Sequence, residues 1–348
     1  MNRQFPALRG FAIFLVVLNH SIVLSLKAIS FYKLPRVSIW ETNILLTIKE
    51  VGVLAVPIFL FLAGSFMMYS LMNQTIAKGY RLILPALKNA LIPYFIWSII
   101  FFIIRLFLGH ERFSFLGYLK NLIVGYPYNF VPILIFFIVI SPLLAYIIKK
   151  YAILVLIGFG IYQFMLVIIQ LPDVFKLSLP TWMKILSPPV LSLPLTLWAI
   201  FYPLGMIYIQ HSQNLKKYVG KILPLSITLS IISFGVAILH ELGYISFPLA
   251  EWFFPIAVVW IFPFVDRKKI PLLSFFEKLG KRSYGLYFMN LIIINLLIFI
   301  TAKLTSFLYS VETLVVILFS FITIFVSLKF MEWIEKGPAK KLYRYLFG

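Results

Sequence analysis

The 348-residue chain is 62% hydrophobic and only 12% charged, far from the roughly half-apolar make-up of a soluble domain. It has no cysteine, which excludes disulfides, thiolate catalysis and cysteine-held metals. Its net charge of +20 would suit nucleic acid in a soluble protein, but no nucleic-acid-reading pattern accompanies it, and the placement of the charges gives them another role.

A membrane-crossing helix takes about 20 mostly apolar residues, and such runs recur along the whole chain. In order they are expected at residues 6–26, 51–71, 90–108, 130–148, 151–171, 191–209, 222–240, 252–264, 283–301 and 311–330. The eighth is short and carries Pro255 and Pro263, so a broken or tilted span is expected there. The first resembles a secretory signal in its charged start and apolar run, but holds Arg9, Asn19 and His20 and is followed by many further spans, so it is read as a retained helix. The expected fold class is all-α, a polytopic transmembrane helix bundle of about ten spans in one domain (residues 1–348), with both termini cytoplasmic. The loop at 27–50 is too short to be a domain.

With the N-terminus inside, 21 Lys and Arg fall on the inner side and 10 on the outer, accounting for all 31, while the acidic residues split 4 inside and 7 outside. This is the positive-inside bias of a membrane protein. The inner loops carry Lys78, Arg81 and Lys88, then Lys149 and Lys150, Lys216, Lys217 and Lys221, and a cluster from Arg267 to Arg282. Membrane lipids, through their anionic head groups, are the bland partners expected for most of these. Nucleic acid is not expected as a partner.

Within the first span, Pro6 suits a first helical turn because its missing N–H would be unpaired there anyway. Arg9 then lies close to the positive end of the helix dipole, a setting that favours an anion. His20 follows eleven residues later, three turns plus roughly 20°, so the two side chains share one face about 16 Å apart. A hydrocarbon core of about 30 Å puts His20 near mid-membrane, where ionisable groups are costly and commonly functional. The alternative reading makes Arg9 a topology anchor and His20 a packing residue. Histidine, with an unperturbed pKa of about 6.5, can take a proton from an attacking hydroxyl at neutral pH.

Arg9 and His20, within the stretch LRGFAIFLVVLNH, resemble the first helix of the acyltransferase-3 family of membrane acyltransferases. Val56-Pro57-Ile58-Phe59-Leu60-Phe61-Leu62-Ala63-Gly64 is similar to that family's second motif. Leu91-Ile92-Pro93-Tyr94-Phe95-Ile96-Trp97, following Arg81 and Lys88, resembles its third span, and Leu279-Gly280-Lys281-Arg282-Ser283-Tyr284-Gly285-Leu286-Tyr287 its late motif. The four elements stand in family order from end to end of the chain, with no SGNH-type domain. The departures are Ala63 where many members have Ser, Asn290 where many have His, and Asn129-Phe130-Val131-Pro132 in place of a His-Leu-Trp-Phe segment.

The resemblance implies an O-acyltransferase of a bacterial-type cytoplasmic membrane. It would move an acyl group, acetyl being the expected one, from cytosolic acyl-CoA to a hydroxyl of a cell-envelope carbohydrate or similar acceptor. His20 is the expected general base, with an acyl-histidine as a less favoured variant. Arg9, Arg81, Lys78 and Lys88 are the expected cations for the acyl-CoA phosphates. Asn19, Tyr284 and Asn290 are candidate cavity-lining polar groups, and Glu41 and Glu50 candidate acids to orient His20. Acyl-CoA is a cosubstrate, and no tightly bound cofactor or metal is expected. His110, His211 and His240 form no H-E-x-x-H pattern, and no G-x-S-x-G elbow is present. Gly158-Phe159-Gly160 lacks the strand context of a phosphate loop, so helix packing is its expected role. Rival readings are a transporter or flippase, weakened by the lack of an inverted repeat, and a non-catalytic scaffold.

Overall fold

The computed structural model describes residues 4–35, 37–108, 111–247, 249–261, 264–265 and 267–348, leaving aside the side chains of 213–220 and 251. His110 and Pro263, and the side chains of Lys216 and Lys217, lie outside this description. The helices are α1 (Phe5–Tyr32), α2 (Ile39–Gly52), α3 (Ala55–Leu71), α4 (Ile76–Phe107), α5 (Phe115–Val124), α6 (Phe130–Gln170), α7 (Ser192–Trp198), α8 (Phe201–Glu241), α9 (Ala250–Val259), α10 (Leu273–Lys281), α11 (Ser283–Leu304), α12 (Glu312–Lys336) and α13 (Tyr343–Phe347). No strand occurs among the described residues, so the all-α polytopic reading holds.

Seven helical stretches are long and apolar enough to cross a membrane, and an eighth is gained if α7 and the first part of α8, bent by 44°, form one span. Two differences account for most of the distance from ten. The runs expected at 130–148 and 151–171 are both present but fall in one unbroken stretch, α6, whose two arms meet at the non-helical Tyr151 (φ −128°, ψ 40°) and fold back so that the Phe159 ring lies 6.0 Å from that of Phe137. Each arm, at 1.5 Å per residue, is about 30 Å long, one hydrocarbon core. The run expected at 252–264 yields only the 10-residue α9, with Pro255 inside it.

Two segments expected as loops are helical. Lys78, Arg81 and Lys88 lie in the first turns of α4, which starts at Ile76 and continues through Pro85 and Pro93. The outer loop contains α2, begun by Ser38, whose hydroxyl accepts from the Glu41 amide at 3.2 Å.

The described chain forms two compact units. The first comprises Met1–Ala55, Ile99–Glu111 and Ile222–Gly348, and the second Val56–Ser98 and Arg112–Lys221. In the first unit α1 packs against α2, α10, α11 and α12. Lipid is as apolar as the side chains, so helices in a membrane associate mainly through close packing and hydrogen bonds, and glycine permits the closest approach. A Cβ on Gly10 would collide with the carbonyl oxygen of Phe276, and one on Gly280 with that of Pro6. The backbones of α1 and α10 therefore touch at two reciprocal points. The Phe276 ring meets Phe11 and Phe14 edge-on, at 5.7 and 6.0 Å between centroids.

The amphipathic α10 buries Phe276 and Leu279 and leaves Lys278 and Lys281 exposed. Arg282, at the junction with α11, donates to the Leu328 carbonyl (3.2 Å) and to Glu335 (2.7 Å), tying that junction to α12. Toward the other end of α1, Ala28 packs with Ile294, Ile298, Tyr309, Val315 and Phe319. Ile22 packs with Leu45 and Val316. The lower part of α1 is thus fixed by glycine contacts and its upper part by large side chains.

The second unit uses the same device. Gly64 of α3 faces the Tyr202 carbonyl and Gly205 of α8 faces the Phe61 carbonyl, each too close to admit a Cβ. The Ser65 hydroxyl donates to the Gly205 carbonyl at 3.1 Å. Tyr202 stacks on Phe137 at 4.7 Å and hydrogen-bonds Ser141 at 2.7 Å. Gln163 satisfies the break between α7 and α8, donating to Leu197 O and accepting from Ile200 N. The packing role expected for Gly158 is not borne out, since a Cβ there would meet nothing within 4 Å, and at Gly160 only the Ile200 side chain at 3.7 Å.

Candidate functional site

The site grows from α1. The helix forms because residues 5–32 are an apolar run whose one proline, Pro6, stands in the first turn, and it stops at Lys33, which adopts a left-handed conformation (φ 54°). Arg9 lies in the second turn and His20 roughly midway along, so the side chains leave one face about 16 Å apart. Both keep accessible surface, while Ile13 and Val16, between them on the same stripe, are buried. The polar ends of the stripe are open and its middle is packed.

At the first end, Gly10 and Gly280 hold α1 against α10 and so bring the start of α11 close to Arg9. Tyr284, in the first turn of α11, is near enough to interact electrostatically with Arg9. Among the described residues Arg9 forms no ion pair. A guanidinium beside a helix N-terminus with no carboxylate to neutralise it is an anion-binding arrangement.

At the second end, the His20 ring meets α11. Its Nδ1 lies 2.6 Å from Oδ1 of Asn290, a residue with no exposed surface. The Asn290 amide nitrogen donates to two carbonyls of its own helix, Leu286 (3.1 Å) and Tyr287 (2.5 Å). His20 Nε2 has no hydrogen-bond partner among the described residues and is not one of the buried unsatisfied atoms. One nitrogen of the ring is held, and the other keeps accessible surface and no hydrogen-bond partner among the described residues.

The other expected residues separate by place. Asn19 points to α2, donating to the Lys49 carbonyl (3.3 Å) and filling the space over Gly52, so it serves helix packing. Neither candidate acid is the ring's observed hydrogen-bond partner. Glu41 accepts from the Thr313 amide (3.3 Å), and the fully buried Glu50 is 4.0 Å from the Lys49 ammonium. Lys49 also pairs with Glu241 at 2.5 Å. Where an acid was sought for His20, the structure supplies the Asn290 amide.

Lys78, Arg81 and Lys88 belong to the second unit, on α4, all exposed and in no ion pair among the described residues. Arg81 and Lys88, seven residues apart, share a helix face. Sequence reasoning passed over Arg105, which donates to Asn295 (2.8 Å) and Glu111 (2.6 Å) in the first unit. The available signal was an arginine inside an apolar run with a glutamate six residues on. Two apolar grooves, one between α8 and α9 and one lined by α6 and α7, include neither Arg9 nor His20.

Compared with known families, residues 2–331 of the 348 match the acyltransferase-3 family, described as an acyltransferase domain. The match runs through both units. No curated protein and no solved structure matches the chain.

Proposed function

The chain belongs to the acyltransferase-3 family and is a multi-pass membrane acyltransferase; from that premise we propose that it transfers an acetyl group from cytosolic acetyl-CoA to a hydroxyl of a cell-envelope carbohydrate, with His20 as general base. The observation that carries this reading is the His20 ring, fastened on one side by Asn290 and open on the other, in the middle of an apolar helix. As the acceptor oxygen bonds to the thioester carbonyl carbon, the imidazole takes the hydroxyl proton. The carbon–sulfur bond then breaks and the leaving thiolate takes that proton back, giving an ester and free CoA.

Arg9 is suited to a donor phosphate, since it is a cation near the terminus of the same helix with no carboxylate paired to it among the described residues. Arg81, Lys78 and Lys88 are further phosphate cations on the grounds of charge and exposure. The pantetheine arm is long and thin enough to span the distance between Arg9 and His20. The proposed site of action is the cytoplasmic membrane of a bacterial-type cell, with both termini cytoplasmic as the charge asymmetry favours.

The test is transfer of radiolabelled acetyl from acetyl-CoA into envelope material by membranes holding wild type or His20→Ala at matched expression. General acid–base groups contribute about 10²–10⁴-fold, so incorporation is expected to fall by at least about 100-fold. Equal incorporation by the variant removes the base role from His20, and no incorporation by wild type removes the acetyl-to-envelope reading.

A further inference from the structure

We infer that Asn290 is a positioning residue that holds the neutral His20 in a single tautomer, with the proton on Nδ1 and the lone pair on Nε2. The inference rests on the general-base reading of His20 and says which nitrogen does the work. An amide oxygen and nitrogen are told apart by their partners, and here the partners are unequivocal. The Asn290 nitrogen faces two backbone carbonyls, Leu286 O and Tyr287 O, which only accept. Rotating the amide would set its oxygen against both and leave the nitrogen toward His20, losing two hydrogen bonds inside a residue with no exposed surface. Oδ1 therefore points at His20, and since it only accepts, the 2.6 Å contact requires a proton on Nδ1.

A neutral imidazole has one N–H and one lone pair, so the lone pair lies on Nε2, the nitrogen left without a partner. The ring thus needs no rearrangement before it takes a hydroxyl proton. Asn290 differs from the carboxylate of a serine–histidine–aspartate system in carrying no charge. It orients the ring and fixes the tautomer without placing a second ionised group at mid-membrane, where charges are costly. Leucine at 290 keeps the number and branching of heavy atoms but has no acceptor.

The test uses full-length protein in lipid nanodiscs with ¹⁵N-labelled histidine, the His20 signal being identified by its loss in His20→Ala. In wild type at a pH where the ring is neutral, the His20 Nδ1 shift should be that of a protonated nitrogen and the Nε2 shift that of a bare one. Asn290→Leu should mix or reverse the two and lower kcat for acetyl transfer by about 10-fold or more, with KM for acetyl-CoA within about 2-fold. A bare Nδ1 in wild type, or an unchanged tautomer in Asn290→Leu, overturns the inference. Should Asn290→Leu fail to fold, the wild-type spectrum alone decides. Failure here is distinct from failure of the base reading, which shows as unimpaired transfer by His20→Ala whatever the tautomer.

Discussion

Arg9 and His20 divide one helix face between a charge that forms no ion pair among the described residues and a ring held by a hydrogen bond, and their substitutions should separate accordingly. Removing a charge-assisted hydrogen bond typically costs about 1.5–3 kcal/mol, so Arg9→Ala should raise KM for acetyl-CoA by about 10- to 100-fold, with Arg9→Lys recovering part of it. Initial-rate measurements against donor concentration check this, and an unchanged KM returns Arg9 to the role of a topology anchor. These two positions were legible because an eleven-residue spacing within one helix converts directly to a shared face. Asn290 stood among the candidate polar groups, but its pairing with His20 was not legible. Asn290 is 270 residues away, and only the packing of α1 on α11 brings the two together. Glu41 and Glu50 looked suitable because a carboxylate is the usual orienting group, yet Glu41 accepts from the Thr313 amide and Glu50 lies 4.0 Å from the Lys49 ammonium, neither meeting the ring by a hydrogen bond.

Helix contacts explain why short sequence motifs sit where they do. Gly10 and Gly280 belong to two different motifs of the chain and meet across the α1–α10 crossing, while Gly64 of a third meets Tyr202. Gly280→Leu should force the α1 and α10 backbones apart and, by the about 1–3 kcal/mol typical of overpacking, lower the yield and melting temperature of purified protein. Gly158→Leu, facing open space, should leave both unchanged. Equal thermal melts for the two variants would refute the crossing. The long apolar helices were readable from hydropathy alone. The first turns of α4 were not, because Lys78, Arg81 and Lys88, with Gly79 and Pro85 among them, read as a polar loop, whereas the helix runs on through Pro85. Nor was α2, although Ser38 three residues before Glu41 is a helix-start signature, outweighed by the loop's charges.

Across the whole molecule, the excess of basic residues on one side of the expected ten-span arrangement predicts cytoplasmic termini by the positive-inside rule. The absence of native cysteine makes this directly measurable. Single cysteines introduced at Lys268 and at Ser310 should be labelled by an impermeant maleimide from the cytoplasmic and the outer side respectively, and the opposite pattern would invert the topology. Span number was legible except at α9, because hydropathy separates the two arms of α6 that meet at Tyr151 but does not see how short the helix around Pro255 is. The orientation matters for chemistry, since cytoplasmic termini would put the Arg9 end of α1 on the side from which the proposed donor, cytosolic acyl-CoA, would arrive. The most direct measurement of a donor station and a reaction station on one helix is CoA binding to purified wild type, Arg9→Ala and His20→Ala, set beside their turnover. Weakened CoA binding in Arg9→Ala, with near-normal binding but lost turnover in His20→Ala, is the expected result. Undiminished CoA binding in Arg9→Ala together with undiminished turnover in His20→Ala would contradict it.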